Sequence, residues 1–240
     1  MTAGTSPAAS QKRSLPALRR LARQTKMYVR QAPSATCGPL ALLIWFPRWL
    51  RSQRRTSLDD EVPWITYEAH RALERLLTPE MRVFEYGSGG STLYLAPRVA
   101  ELVSVEHDPD WHAKVQARVG NRSELMLVPS TEEEPGDYAS ADERDQGRSF
   151  RAYAEAIDRF PDGYFDLLLI DGRARASCFR HGRAKVRAGG WIVLDNSDRE
   201  PYTSVVSAAR EAGWAEERCA GPSGYTPYFS QTTIWRTSPA

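Results

Sequence analysis

Residues 83–92 read Val83-Phe84-Glu85-Tyr86-Gly87-Ser88-Gly89-Gly90-Ser91-Thr92, and this stretch decides the fold. An apolar run ends in a carboxylate and continues directly into a glycine-rich turn. Gly87 and Gly89 can adopt backbone angles that are closed to other residues, which lets a ligand approach the main chain. Ser91 and Thr92 suit the start of a following helix, whose N-terminus presents free N–H groups. The stretch therefore predicts a strand, a turn and a helix that hold a nucleotide-like ligand.

A second acid follows at the spacing expected for contact with a ribose. Leu102 to Glu106 is another apolar run that ends in a carboxylate, and Glu106 lies 21 residues beyond Glu85. In nucleotide-binding α/β folds, an acid about 20 residues beyond the glycine-rich turn binds the ribose hydroxyls. We expect Glu106 to take this role.

Strand-like and helix-like segments alternate from residue 61 onward. Strands are predicted at Val83–Tyr86, Leu102–Glu106, Leu125–Val128, Phe165–Ile170 and Trp191–Leu194. Helices are predicted at Trp64–Leu77, Thr92–Val99, Asp110–Val119, Phe150–Phe160, Ala174–Val186 and Val205–Ala212. This alternation predicts a parallel sheet covered by helices on both faces. Two final strands, near residues 216–219 and 228–235, follow each other without a helix and predict an antiparallel pair at one edge.

Length and composition set mild bounds on the class of protein. The chain has 240 residues, of which 41% are hydrophobic and 26% charged, enough for one substantial core. Its three cysteines are too few and too scattered for a disulfide framework or a clustered zinc site, so we expect a reducing, cytoplasmic compartment. The longest apolar run near the N-terminus, residues 39–47, is far shorter than the roughly 20 residues that span a bilayer, and no signal-peptide layout precedes it.

Charge is distributed unevenly along the chain. Residues 1–58 contain eleven Lys or Arg and no Asp or Glu, whereas the remainder contains 21 basic and 30 acidic residues. We therefore divide the chain into a basic, helical and partly disordered N-terminal extension, residues 1–58, and a domain at residues 59–240. A helix within the extension, Leu42–Trp49, is expected to be interrupted at Pro47. This basic amphipathic segment with its two tryptophans suits peripheral contact with an anionic membrane; packing on the acidic body is the alternative.

Together, these motifs resemble those of class I S-adenosylmethionine-dependent methyltransferases. The resemblance covers about residues 62–236 and rests on Glu85-x-Gly87-x-Gly89-x-Ser91, Glu106, Ile170-Asp171-Gly172 and Gly189-Gly190-x-x-x-Leu194-Asp195-Asn196. It implies a seven-stranded, mostly parallel sheet of order 3-2-1-4-5-7-6, with one antiparallel strand and helices on both faces. It also implies an S-adenosylmethionine site made by Glu85, Gly87, Ser88, Gly89, Gly90, Ser91, Glu106, His107 and Asp171.

Two other interpretations of the same glycines compete with this resemblance. A nicotinamide-dependent Rossmann oxidoreductase requires glycines at the first, third and sixth positions of the turn, and the sixth position here is Thr92. Glu85, directly before the turn, would repel a pyrophosphate and suits a cationic amino-acid group better. A non-catalytic protein of the same fold, recruited to a membrane by its basic extension, is the third interpretation. The sequence favours the methyltransferase.

Polar residues at the predicted ends of the fourth and fifth strands indicate the catalytic centre. Asp171 and Asp195 are the candidate catalytic residues, because the carboxyl ends of these parallel strands meet at one edge of the sheet. With Asn196 they resemble the metal-binding set of the catechol O-methyltransferase group, which implies that Mg²⁺ activates a substrate hydroxyl. Capping of a following helix is the alternative for Asp195 and Asn196.

The acceptor is indicated only by its expected chemistry. The catechol group has a lysine base three residues beyond its first Asp, where this sequence has Ala174 between Arg173 and Arg175. Arginine is a poor base but binds carboxylate and phosphate groups well. We therefore expect O-methylation of a small, glycan or lipid-type acceptor that carries an anionic group. The aromatic run at residues 225–229 shapes the acceptor pocket or packs at the sheet edge. Methylation of base amines is not expected, because the Asn/Asp-Pro-Pro-aromatic motif of base-methylating relatives is absent; the basic N-terminal segment keeps nucleic acid as a minor alternative partner.

Overall fold

The structure is a computed structural model that describes residues 7–239, with side chains described from residue 19 onward. Residues 1–6 of the predicted extension lie outside the described part of the chain. Seven strands form one sheet: β1 (Arg82–Tyr86), β2 (Glu101–Glu106), β3 (Glu124–Leu127), β4 (Phe165–Ile170), β5 (Val186–Asp195), β6 (Ala215–Pro222) and β7 (Phe229–Arg236). Their order in the sheet is β3-β2-β1-β4-β5-β7-β6.

The sheet topology confirms the predicted fold class. Strands β1 to β5 pair in parallel, whereas β7 runs antiparallel between β5 and β6. The order and the single reversed strand are those implied by the methyltransferase resemblance. The reversed β7 also distinguishes this sheet from the all-parallel order 3-2-1-4-5-6 of dinucleotide-binding domains.

Helices cover both faces of the sheet, as the alternating pattern predicts. They are α1 (Pro7–Gln31), α2 (Pro39–Ser52), α3 (Ser57–Asp60), α4 (Tyr67–Leu76), α5 (Gly90–Leu95), α6 (Pro109–Val119), α7 (Arg151–Glu155), α8 (Arg175–Gly182) and α9 (Thr203–Glu211). One apolar layer packs α4, α5 and α6 on the sheet, and the other packs α7, α8 and α9 on the opposite face. Strands buried on both faces need apolar side chains throughout, which explains continuous runs such as β4. None of the helices described is both long and apolar enough to cross a bilayer.

The helix predicted at Ala174–Val186 is shorter in the structure. It ends as α8 at Gly182, because β5 already begins at Val186 and continues through Gly189 and Gly190 to the predicted strand. Gly189 has a φ of 71°, in the left-handed region that glycine adopts without strain. Two glycines therefore lie inside a strand that the sequence pattern predicts to begin only at Trp191.

The predicted interruption of the second helix at Pro47 is wrong. Helix α2 continues through Pro47 to Ser52. A proline inside a helix leaves the carbonyl four residues earlier without its N–H partner. Pro47 is exposed, so solvent can hydrogen-bond the carbonyl oxygen of Leu43.

The N-terminal helices α1 and α2 pack against the β6–β7 side of the sheet. Tyr28, Trp45 and Trp49 form a third apolar cluster with Tyr67 of α4. Trp49 donates its indole N–H to the carbonyl oxygen of Thr226 at 3.0 Å, just before β7. The boundary drawn between residues 58 and 59 falls inside α3, and this division of the chain stays a prediction.

Candidate active site

A cleft of about 670 Å³ opens at the carboxyl ends of β1, β2, β4 and β5. Parallel α/β sheets bind ligands at this edge, where the strand order reverses between β1 and β4. The predicted site residues that line the cleft are Gly87, Ser88, Gly89, Gly90, Ser91, Glu106, His107, Asp171, Asp195 and Asn196. The structure therefore brings together every predicted site residue except Glu85.

The turn after β1 requires glycine at two positions. Gly87 has a φ of 91°, and a Cβ atom there would lie 2.7 Å from Cα of Gly172 in the loop after β4. A Cβ atom on Gly90 would lie 2.3 Å from the carbonyl oxygen of Ser57 in α3. A side chain at either position would displace the turn from the elements that support it. The backbone of the turn is thus kept close to the cleft and open to a ligand.

Glu106 is held as an oriented anion at the end of β2. Its carboxylate accepts hydrogen bonds from the N–H and the hydroxyl of Ser88, at 3.1 and 3.0 Å. It also accepts from the N–H groups of His107 and Asp108, at 2.8 and 2.9 Å. Burial raises the pKa of Glu106, but the bonds with His107 and Asp108 outweigh burial and leave the pKa below its usual value. Such an anion suits the paired hydroxyls of a ribose.

Glu85 lies beneath the turn and does not line the cleft. Its Oε2 accepts hydrogen bonds from the hydroxyls of Thr92 and Ser104, both at 2.6 Å. The side chain is fully buried, and Oε1 has no hydrogen-bond partner among the described residues. Burial raises the pKa of Glu85 to about 7. In this structure Glu85 ties α5 to β1 and β2 and so supports the turn from below.

A buried arginine joins the two predicted catalytic carboxylates. Arg175, four residues beyond Asp171 at the start of α8, places Nη2 2.9 Å from Oδ1 of Asp171 and Nη1 3.7 Å from Oδ2 of Asp195. It also donates to the carbonyl oxygen of Gly172 at 3.0 Å. The Asp195 carboxylate accepts a further hydrogen bond from the hydroxyl of Thr232 at 2.6 Å. Asp171 is the more accessible acid, since its side chain is 21% exposed and that of Asp195 is 5% exposed.

The two carboxylates differ in how well their charges are compensated. Burial raises the pKa of Asp171 to about 8, the nearby Asp195 adds to this effect, and Arg175 opposes it. Burial also raises the pKa of Asp195, against Arg175 and the hydrogen bond from Thr232. Asp171 is thus an accessible carboxyl group whose pKa lies near neutrality, which suits a group that takes up a proton.

The arrangement does not fit the Mg²⁺ ion implied by the resemblance to the catechol group. A cation would need oxygen atoms of Asp171, Asp195 and Asn196 to converge on it, but the guanidinium of Arg175 lies between the two carboxylates. Within residues 7–239, no group of three or more His, Cys, Asp or Glu side chains is placed to hold a metal. Helix capping does not explain Asp195 and Asn196 either, because the next helical turn begins at Glu200.

The arginines expected to bind an anionic acceptor are engaged within the protein. Arg175 contacts the two carboxylates described above, and Arg173 lies 2.5 Å from Asp145 and 3.4 Å from Asp142, both in the acidic loop at residues 132–148. Arg199 also lines the cleft and is exposed. Among the described residues, no carboxylate lies within 4.0 Å of Arg199. Arg199 is therefore the better candidate for an anionic group of the acceptor, and no sequence motif singles it out.

Aromatic side chains line another part of the cleft. Tyr228 and Phe229 come from the predicted aromatic run, and Trp64 comes from the segment before α4. Trp64 and Tyr228 are 47% and 66% exposed, so their rings are available to a ligand. Trp111 of α6 donates its indole N–H to the carbonyl oxygen of Ser88 at 2.8 Å and holds the glycine turn. Sequence reasoning missed both tryptophans, because each lies in a segment whose pattern indicates only a helix.

Solved structures share this fold. An O-methyltransferase from Bacillus cereus, solved in complex with SAH, has a TM-score of 0.53 at 13% identity, over 80% of this chain and 91% of that one. A putative O-methyltransferase from Klebsiella pneumoniae has a TM-score of 0.51 at 15% identity, over 78% and 90% of the two chains. An rRNA methylase from Streptococcus thermophilus has a TM-score of 0.51 at 11% identity, over 72% and 96%.

These similarities concern the fold. No protein-family model matches the sequence, and the search of curated proteins found no match. The structural similarities confirm that the chain has the fold of class I S-adenosylmethionine-dependent methyltransferases. Because one fold can serve several functions, the activity must be argued from the cleft itself.

Proposed function

We propose that this protein is an S-adenosylmethionine-dependent methyltransferase that methylates a hydroxyl group of a small, glycan or lipid-type acceptor without a metal ion. The observation that carries the proposal is Glu106, an oriented anion bonded to the glycine turn and facing the same cleft as Asp171. A turn backbone that lines the cleft beside a fixed anion suits a nucleoside with free ribose hydroxyls. The shared fold with two O-methyltransferases, one of them solved with SAH, supports the same class of cofactor.

The residues that would hold the cofactor follow from the walls of the cleft. Glu106 would accept the two ribose hydroxyls, and the backbone from Gly87 to Ser91 would bind the amino-acid part. His107 lines the cleft beside Glu106, and its ring packs against Phe150 with centroids 5.5 Å apart. From this position His107 would border the adenosine. When bound, the cofactor supplies a methyl group on a positively charged sulfur, which needs an aligned nucleophile and little covalent help from the protein.

Deprotonation of the acceptor hydroxyl is assigned to Asp171. Its carboxyl group is accessible, and its raised pKa makes it an adequate base near neutral pH. Arg175 fixes the orientation of Asp171 and compensates its negative charge. A bound metal ion would otherwise supply this positive charge. Asp195 acts through Arg175 and is a positioning residue, because Thr232 and Arg175 hold its carboxylate.

Acceptor binding is assigned to the open side of the cleft. Trp64 and Tyr228 offer exposed ring faces for a sugar or another ring. Arg199 offers a guanidinium that can bind a carboxylate or a phosphate. Together they suit a hydroxylated acceptor that carries a negative charge.

Calorimetry with S-adenosylmethionine tests the cofactor assignment directly. We expect the wild-type protein to bind, and Glu106→Ala to weaken binding by about tenfold or more, because charged hydrogen bonds to the ribose would be lost. Glu80→Ala, which removes an exposed acid outside the cleft, should bind as the wild type does. Absence of binding, or equal binding by the two variants, would remove the proposal. A screen of hydroxylated and acidic acceptors with a radiolabelled methyl donor, with and without EDTA, would then identify the substrate class.

A further inference from the structure

Helix α2 is apolar on two opposite faces, and only one of them is covered. Trp45 and Trp49 are buried against the body, at 8% and 0% exposure. Leu40, Leu43 and Ile44 lie on the other face and are 70%, 72% and 61% exposed. Clusters of exposed apolar side chains of this size, bordered by polar residues, are typical of contact surfaces. The outer face of α2 is therefore a candidate contact surface.

Helix α1 also carries exposed apolar side chains. Its Leu21 and Val29 are 41% and 62% exposed. Of the eight large apolar side chains that are exposed among the described residues, five lie on α1 and α2. Scattered exposed apolar residues need no explanation, but a concentration on one pair of helices indicates a contact surface.

The same two helices carry unpaired positive charge. Apart from Arg48, which stacks on the ring of Tyr67, seven exposed basic side chains on these helices or directly after α2 have no carboxylate within 4.0 Å among the described residues: Arg19, Arg20, Arg23, Lys26, Arg30, Arg51 and Arg54. The first 58 residues contain no acid that could compensate them. We call the five exposed apolar residues and these seven basic residues the α1–α2 surface.

A groove of about 570 Å³ between α1 and α2 combines both properties. Apolar contacts come from Leu21, Pro47 and Leu50, and arginines at its border include Arg20, Arg51 and Arg54. An apolar groove bordered by guanidinium groups matches the chemistry of a phospholipid, which has a phosphate next to acyl chains.

We propose that the α1–α2 surface docks onto an anionic lipid membrane. Leu40, Leu43 and Ile44 enter the boundary between headgroups and acyl chains, and the basic side chains bind lipid phosphates. Both contributions are needed, because neither a few aliphatic side chains nor a few basic residues hold a protein on a membrane alone. The tryptophans expected to face the membrane are instead turned into the protein, so aliphatic side chains take that role.

Other occupants match the surface less well. A second copy of the chain would bring seven uncompensated cations against the same seven, since a two-fold interface pairs identical surfaces. A single-stranded nucleic acid would contact the cations, but successive bases stack on a row of exposed aromatic rings. Tyr28, Trp45 and Trp49 are buried, which leaves Tyr228 as a single exposed ring beside the basic residues. An anionic membrane satisfies the charge and the aliphatic surface together.

The α1–α2 surface continues to the mouth of the cleft. Tyr228 lines the cleft, and it also lines a second depression together with Arg19, Arg20 and Arg23 of α1. If the proposed function holds, docking would bring the cleft beside the membrane, where a lipid-linked acceptor is presented. The docking itself does not depend on the methyltransferase activity.

Co-sedimentation of the full chain with vesicles tests the docking. We expect binding to phosphatidylcholine vesicles that contain 30% phosphatidylglycerol, little binding to pure phosphatidylcholine, and release by high salt. Leu43→Ser should weaken binding by about tenfold, because one buried aliphatic contact is lost. The double variant Arg20→Gln/Arg54→Gln should weaken it by about 30-fold, because two cations near the membrane surface are lost.

Matched controls separate this surface from general effects of charge and apolarity. Leu127→Ser removes an exposed leucine on β3, and Lys114→Gln/Arg183→Gln removes two exposed charges elsewhere; both should bind as the wild type does. Circular dichroism confirms folding, and light scattering reports the oligomeric state. The proposal is overturned by equal binding to neutral and anionic vesicles, by unchanged binding of the α1–α2 variants, or by a dimer that Leu43→Ser dissociates. Tighter binding to single-stranded DNA than to anionic vesicles would also overturn it.

Discussion

The carboxyl group of Asp171 is accessible and its pKa is raised to about 8, so its role as the base can be tested by kinetics. If it is the base, Asp171→Asn should lower kcat by about 100-fold or more while S-adenosylmethionine still binds. Because only the deprotonated carboxylate accepts a proton, the wild-type kcat/KM should rise with pH and level off above about pH 8. The measurement is a pH–rate profile with the acceptor found in the screen. As a control, Asp198→Asn changes another acid of the cleft and should leave the pH–rate profile unchanged. If kcat/KM of Asp171→Asn rose with pH as it does for the wild type, the assignment would be contradicted.

Arg175 determines whether a metal can bind between the two carboxylates. Its replacement leaves the buried Asp195 and the half-buried Asp171 uncompensated, so Arg175→Ala should lower the free energy of unfolding by about 3 kcal/mol. Mn²⁺ should then raise the melting temperature of the variant and leave that of the wild type unchanged, because only the variant has room for a cation. Arg173→Ala, which removes a neighbouring arginine outside this pair, should not respond to Mn²⁺. Stabilisation of the wild type by Mn²⁺ would contradict the assignment.

At the scale of elements, the glycine turn depends on its contact with α3. Gly90→Ala places a Cβ atom against the carbonyl oxygens of Ser57 and Val62, so we expect a loss of about 1–3 kcal/mol in the free energy of unfolding. Displacement of α5 should also weaken cofactor binding. Gly38→Ala has no heavy atom within 4 Å of the new Cβ and a negative φ, so only the poorer N-cap remains and the loss should be no more than about 0.5–1 kcal/mol. Urea denaturation and calorimetry give the two readouts.

The acids that end strands could be predicted, whereas their contacts could not. Glu106 and Asp171 lie at strand ends in the sequence, and parallel strands end at one edge of a sheet, so their convergence follows from topology. Glu85 also lies near the end of a strand, but its hydrogen bonds with Thr92 and Ser104 hold its carboxylate away from the cleft. The spacing of residues in the sequence does not predict these hydrogen bonds. Arg175 is four residues from Asp171 on a helix, and only packing shows that it also reaches Asp195.

For the whole molecule, the sheet was predictable and the attachment of the N-terminal helices was not. The alternating strands and helices predict a parallel sheet covered by helices, and the order of its strands is what the resemblance to methyltransferases implies. Residues 1–58 are set apart by charge, and charge alone indicates a separate extension. The aromatic residues that fasten this segment, such as Trp49, find partners nearly 180 residues away in sequence. No local pattern contains that information.

The packing of Trp49 predicts that the N-terminal helices and the sheet unfold together. Trp49 is fully buried and bonded to the backbone before β7, so Trp49→Ala should lower the free energy of unfolding of the whole chain by about 3–5 kcal/mol. Leu43→Ala, on the exposed face of the same helix, should change it by no more than about 0.5 kcal/mol. Far-ultraviolet circular dichroism and tryptophan fluorescence should give one coincident transition for each protein. If α1 and α2 were an independent unit, Trp49→Ala would leave the main transition in place and add an earlier one, because the sheet would keep its own stability.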